Sequence, residues 1–322
     1  MRGLRDQERE PRVGNPWYKS WDASTLKTMA LSAARQPVIL LGMHRSGTAM
    51  IARLLDALGL FQGSELQEDH ESTWFLELND LMLRRINAAW DDPGPMVGFL
   101  ENPQAFELTR KCLEDDLSSS RTREFLGKKW SLKPGGLLAH EKPWGWKDPR
   151  TLFALPLWLS LFPGAKLLYI VRNGADVASS LRVREIRELE RRGKEFDAKT
   201  SVGGRLRITR AGFKGSARCL TLGGAFAVWE QYVAQAELAL AKESSPRMLI
   251  RFETFLQSPE APLKEMAEFC GVETGDAAIR GAIEKVGLNA GRANAFGADP
   301  AVREFYERVR SSRWMVHHGY GQ

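Results

Sequence analysis

The stretch Gly42-Met-His-Arg-Ser-Gly-Thr48 sets two glycines with four residues between them. It follows the apolar run Pro37-Val-Ile-Leu-Leu41 and opens Thr48–Leu58, whose apolar residues at 50, 51, 54, 55 and 58 have helical spacing. A glycine loop between a strand and a helix turns backbone N–H groups and the positive end of the helix dipole toward anionic oxygens. In a nucleotide triphosphatase the second glycine is followed by Lys, which reaches the outer phosphates, and then by Ser or Thr, which ligates magnesium. Here those slots hold Thr48 and Ala49, and the cation lies inside the loop, at Arg45. Such a loop suits a phosphate and a neighbouring anionic group without a metal. The contact candidates are His44, Arg45, Ser46, Gly47, Thr48 and Ala49. Taken alone, the same spacing also describes a tight strand–helix turn.

A second anion site lies downstream. The apolar run Lys166–Val171 ends in Arg172, and Ser180 follows eight residues later, two turns into the next expected helix. An arginine can grip a phosphate with two donors, and a hydroxyl adds one more. Asp176 stands in the first turn of that helix, where an acid complements the dipole. The plain alternative is a surface arginine and a small helical serine.

Elements of two kinds must position these residues. Val38–Leu41, Lys166–Val171 and Arg247–Phe252 read as buried strands, and Trp144–Arg150 as a short extended stretch. Helices are predicted at 23–35, 48–58, 72–90, 104–127, 151–162 with a kink at Pro156, from 174 onward, and at 221–242, 260–270, 277–286 and 299–311. Residues 60–72 and 93–103 read as loops, and 193–216 as a mobile basic loop. Strands alternating with helices predict an α/β fold, a three-layer arrangement with a central parallel sheet flanked by helices. Ligands of such sheets bind at the carboxyl ends of the strands. Residues 1–35 form an arm and short helix, and 36–322 a single domain with insertions near 60–140 and 182–216.

The 322 residues carry a net charge of +6, which suits an anionic partner. Nucleic acid is not expected, because the basic stretch 182–216 has no aromatics interleaved beyond Phe196 and Phe213. Cys112, Cys219 and Cys270 are dispersed and odd in number, which indicates neither a disulfide framework nor a zinc site and fits a reducing cytoplasm. The charged first ten residues lack the apolar core of a signal peptide. The most apolar stretch, 152–171, is interrupted by Pro156, Pro163, Gly164 and Lys166, so no transmembrane segment is expected.

Together, H-R-S-G-T-A (44–49) and R-N-G-A-D-V-A-S-S (172–180) resemble the sulfotransferase superfamily. Its 5′-phosphosulfate loop reads P-K-S-G-T-T, and its 3′-phosphate motif is an arginine after a later strand with a serine eight residues on. W-K-D-P-R (146–150), R-F-E-T-F (251–255) and F-C-G-V (269–272) are further family-like features, and the resemblance covers about residues 36–310. It implies a P-loop-type fold and transfer of the sulfuryl group of 3′-phosphoadenosine 5′-phosphosulfate to a hydroxyl or amine acceptor, with no metal. Arg45 stands for the family's loop lysine at the leaving group, with Lys147 as a second cation. Arg172 and Ser180 would hold the 3′-phosphate, and Arg292 in G-R-A-N would replace a missing C-terminal R-K-G. The catalytic base would be Glu68 or His70, with Glu71 and Glu77 behind them. Gly174 replaces the usual proline, which loosens that turn. By analogy the acceptor is a carbohydrate or glycolipid. Trp74, Trp90, Trp144 and Trp146 would either stack on it or pack the core. A P-loop kinase or triphosphatase, and a non-catalytic nucleotide-binding protein, remain the alternatives. Oligomeric state is not legible.

Overall fold

The computed structural model describes residues 36–127, 137, 140, 142–198 and 215–321. The arm and helix expected within 1–35, and most of the basic loop at 193–216, lie outside the described residues. The sheet has four parallel strands: β1 (Val38–Leu41), β2 (Gly145–Lys147), β3 (Lys166–Val171) and β4 (Arg247–Arg251), in the order β2-β1-β3-β4. Three are the predicted strands. The fourth, β2, comes from the stretch read only as extended, because three residues are too few to show a period.

Successive side chains of a strand point to opposite faces, and both faces are covered. Ile39, Leu41, Leu167, Tyr169 and Val171 join one core with Trp158, Val177, Leu181 and Trp229. Those residues come from α6 (Leu155–Leu161), α7 (Gly174–Ala198) and α8 (Leu222–Lys242). Val38, Leu40, Leu168, Ile170 and Ile250 join a second core. It is built by α1 (Thr48–Leu58), α9 (Phe252–Gln257), α10 (Glu260–Cys270) and α11 (Asp276–Val286). This is the α/β class read from the sequence, a parallel sheet flanked by helices on both faces.

Between α1 and β2 come α2 (Thr73–Arg85), α3 (Gly94–Glu101), α4 (Pro103–Ser118) and α5 (Thr122–Leu126). The chain closes with α12 (Pro300–Val309) and α13 (Arg313–His317). Helix α3 corrects the loop expected at 93–103. Its proline falls in the first turn, where the missing N–H has no intrahelical acceptor to lose. Pro156 behaves in the same way: it sits in the opening turn of α6 and starts that helix rather than kinking it. Trp74, Trp144 and Trp146 are buried in the first core, so packing is their use.

Gly174 also differs from its reading as a loosened turn. A Cβ there would lie 2.7 Å from carbons of both Phe226 and Trp229, so its lack of a side chain lets α8 close on α7. Both aromatics are buried and cannot yield freely. Gly174→Pro is expected to cost roughly 1–3 kcal/mol through overpacking. It should be read as a lowered urea midpoint at unchanged slope; an unmoved midpoint would mean that the helices part at no cost.

Among the described residues no helix is long and apolar enough to cross a membrane. The three cysteines are free, Cys112 exposed and the others buried.

Candidate active site

Because all four strands run the same way, their carboxyl ends meet on one edge. Lys147 ends β2, the loop from Gly42 follows β1, Arg172 follows β3 and Phe252 follows β4. A cleft of about 610 Å³ opens there, lined among others by His44, Arg45, Thr48, Lys147, Arg172 and Arg292.

The loop's shape depends on two glycines. Gly42 has φ 149°, and a Cβ on it would stand 2.6 Å from the Ile170 carbonyl oxygen. Gly47 has φ 90°, and a Cβ would enter the Phe252 ring at 2.2 Å. The Ser46 N–H donates to the Met43 carbonyl at 3.1 Å and closes the turn. Thr48 and Ala49 open α1, so their N–H groups have no acceptor within the helix, and both residues line the cleft. Arg45 takes a left-handed backbone, φ 68°.

The two anion sites read from the sequence are in contact. Arg45 Nε donates to Ser180 Oγ at 2.9 Å. Arg172 Nη1 donates to the Arg45 carbonyl at 3.1 Å, and its Nη2 donates to the Arg292 carbonyl at 2.7 Å and to Asp176 Oδ2 at 3.3 Å. The guanidinium also lies 4.6 Å from the centre of the Phe252 ring. Arg172 thus ties the loop to the segment carrying Arg292. Asp176 does more than complement the helix dipole, since its carboxylate also accepts the N–H groups of Ala295 and Phe296, at 3.2 and 2.6 Å. Behind Arg172, the Asn173 N–H donates to Glu253 Oε1 at 2.9 Å, and Tyr320 donates to Glu253 Oε2 at 2.8 Å. Burial pushes the Glu253 carboxyl up, against those two hydrogen bonds.

Burial holds the Arg45 guanidinium below its ordinary value. Asp69 opposes this, and Arg184, Arg292 and Arg172 add to it. It stays charged. Lys147 is buried and rigidly placed: Nζ donates to Glu71 Oε1 at 2.9 Å and to the Asp69 carbonyl at 3.0 Å. Arg150 braces the same group, 3.7 Å from Glu71 and 3.0 Å from Asp148. Burial drives the Asp148 carboxyl upward while Arg150 pulls it back.

The candidate bases are distributed unexpectedly. Glu68 is exposed, and its carbonyl accepts from Arg53 Nη2 at 2.5 Å. His70 faces Asp56, 3.4 Å away. Asp69, between them, lines the cleft. Glu71 is taken up by Lys147. His44 lies in the cleft with Nε2 buried and unpartnered, its ring edge-on to Trp90 and Tyr232 at 5.0 and 6.1 Å. Burial, then the neighbouring Arg150, Arg184, Lys147 and Arg45, push His44 well below its usual value, so it is neutral at pH 7. Trp90 alone of the four tryptophans stays partly exposed, with the Arg184 guanidinium 4.7 Å from its ring centre.

Sequence reasoning did not single out Arg53, Asp69, Phe252 or Asn289 as site residues, and all four line the cleft. Phe252 had a signal, standing directly after a strand in R-F-E-T-F. Asn289 had none, because a loop after a helix carries no periodicity.

The model of the sulfotransferase family matches residues 37–276. No curated protein matches the chain. Among solved structures, the sulfotransferase domain from the curacin biosynthetic pathway is 15% identical over 85% of this chain and 97% of that one, with a TM-score of 0.44. A sulfotransferase from Alicyclobacillus acidocaldarius is 14% identical over 85% and 91%, also at 0.44. A retinol dehydratase in complex with androsterone and inactive cofactor PAP is 17% identical over 91% and 84%, at 0.37. With the family model running from β1 to the first residue of α11, the chain belongs to the sulfotransferase family of transferase enzymes.

Proposed function

We propose that this enzyme moves the sulfuryl group of 3′-phosphoadenosine 5′-phosphosulfate to a hydroxyl-bearing acceptor. The observation that carries this reading is the convergence of Arg45, Lys147, Arg172 and Arg292 on one cleft beside the open N–H groups of Thr48 and Ala49. The acids lining that cleft are Asp69 and Asp176, and Asp176 is spent on Arg172 and two backbone N–H groups. Arg172 Nε is buried without a partner, which fits an anionic ligand group arriving there.

In the reaction the acceptor oxygen bonds to sulfur while the bond from sulfur to the bridging oxygen breaks. Negative charge grows on the departing phosphate. Arg45 and the loop N–H groups are aimed at that charge, and Lys147 supplies a second cation held by Glu71. Arg172, with Ser180 and Arg292 beside it, serves the 3′-phosphate. The acceptor proton goes to Asp69, which shares the cleft with Arg45 and Lys147. His44, held neutral, offers one donor and one acceptor to the acceptor's polar groups.

Asp69→Asn is expected to lower kcat by about 10²–10⁴-fold, the usual contribution of a general base. Affinity for adenosine 3′,5′-bisphosphate, measured by calorimetry, should hardly change. Full turnover in Asp69→Asn with a loss in Glu68→Gln or His70→Ala would return the role to the residues flanking it.

A carbohydrate or glycolipid acceptor keeps one point of support, the partly exposed Trp90 beside His44. A cytoplasmic, reducing setting suits the three free thiols. A labelled phosphosulfate assay against fractions of the native host's lysate tests the reaction. ATP with magnesium displacing the bisphosphate would favour a kinase or triphosphatase, and bisphosphate binding without transfer to any fraction a binding protein.

A further inference from the structure

Three side chains outside the cleft meet at the end of the chain. Glu237 projects from α8, His317 ends α13, and His318 follows it. Glu237 Oε2 lies 3.3 Å from His317 Nε2, and Glu237 Oε1 lies 3.2 Å from His318 Nε2. The three donor atoms all fall within 4.8 Å of one another. In a tetrahedral zinc site with bonds of about 2.0–2.1 Å, neighbouring donor atoms stand about 3.3 Å apart. Each imidazole nitrogen already stands at about that distance from one oxygen of the Glu237 carboxylate, His317 from Oε2 and His318 from Oε1.

We propose that Glu237, His317 and His318 bind a divalent transition-metal ion of the zinc type, with its fourth position open to water. Two imidazole nitrogens and one carboxylate oxygen form a donor set that suits zinc better than magnesium or calcium, which prefer oxygen throughout.

The competing explanation is a pair of ordinary histidine–glutamate ion pairs. His318 argues against it. Its side chain is 3% exposed, and its Nε2 has no hydrogen-bond partner despite the nearby carboxylate. A buried imidazole nitrogen that faces a carboxylate without a hydrogen bond fits a metal-ligating atom. Arg251 opposes a cation here, since it lies against Gly319, where a Cβ would stand 3.0 Å from its Nη1. The Glu237 carboxylate offsets that charge. The Tyr169 ring lies edge-on to His318, with ring centres 6.1 Å apart.

The ion would join α8 to the C-terminal segment. That segment next supplies Tyr320, whose hydroxyl holds Glu253, which in turn holds the Asn173 N–H beside Arg172. Both histidines lie beyond residues 37–276, the stretch that matches the family.

The test uses the full chain, stripped with a chelator and titrated with zinc chloride by calorimetry. One equivalent should bind and raise the melting temperature. His317→Ala and Glu237→Gln should each weaken that binding at least about tenfold. His317 is 51% exposed, so its alanine variant is expected to fold. Cys112→Ser, which removes the exposed thiol, should bind as the wild type does. No uptake by the wild type, undiminished affinity in either His317→Ala or Glu237→Gln, or a loss in Cys112→Ser would overturn the assignment.

Discussion

Arg172→Ala is expected to cut the affinity for adenosine 3′,5′-bisphosphate by about 10²–10⁴-fold. Two charge-assisted hydrogen bonds to a phosphate are worth about 1.5–3 kcal/mol each, and tenfold in affinity is about 1.4 kcal/mol. The same substitution should also destabilise the fold. Arg172 and Asp176 side chains are 8% and 1% exposed, and removing one partner of a buried pair costs about 3–5 kcal/mol. Asp176 would keep its two backbone donors, so the lower end of that range applies. Arg172→Lys separates the two effects. It keeps a charge near Asp176 but lacks the planar fork that reaches the Arg45 and Arg292 carbonyls together. It should regain stability and little of the affinity. A folded Arg172→Ala that binds the bisphosphate like the wild type would remove Arg172 from the site.

Arg45→Ala should act mainly on turnover. Its guanidinium is aimed into the cleft from a left-handed loop position and is steadied by Ser180. Removing one preorganised group that stabilises developing charge costs about 10²–10³ in kcat. Arg45→Lys should recover most of that loss, because a point charge at the same place suffices for the departing phosphate. An undiminished kcat in Arg45→Ala would pass the leaving-group role to Lys147, which already lines the cleft on a rigid strand end. Unchanged bisphosphate affinity in both alanine variants would refute the assignment of the cleft.

The parts of the site that were legible in the sequence sit directly after strands. Gly42–Thr48 and Arg172 follow runs long enough to show burial, and a parallel sheet sends everything after its strands to one edge. Ser180 was legible through helical spacing. Asp69 was not, although it lies between the two residues named as bases. An irregular turn assigns neighbouring side chains to opposite directions without any period, and here it aims Glu68 outward, Asp69 into the cleft and His70 at Asp56. Helix α3 was missed because proline reads as a breaker unless its place within the turn is known.

By itself the sequence determined the strand–loop–helix around Gly42–Thr48, the absence of a Lys at 48 followed by Ser or Thr at 49, and the alternation that forces a parallel sheet. These are local properties, set by residue type and by periods of two or 3.6. The tertiary structure alone decided what meets across long separations. It joined Arg45 to Ser180, bound Lys147 to Glu71, made Gly174 the contact point of two helices, and gathered Glu237 with His317 and His318. No local rule encodes those meetings, because they depend on how helices pack over both faces of the sheet.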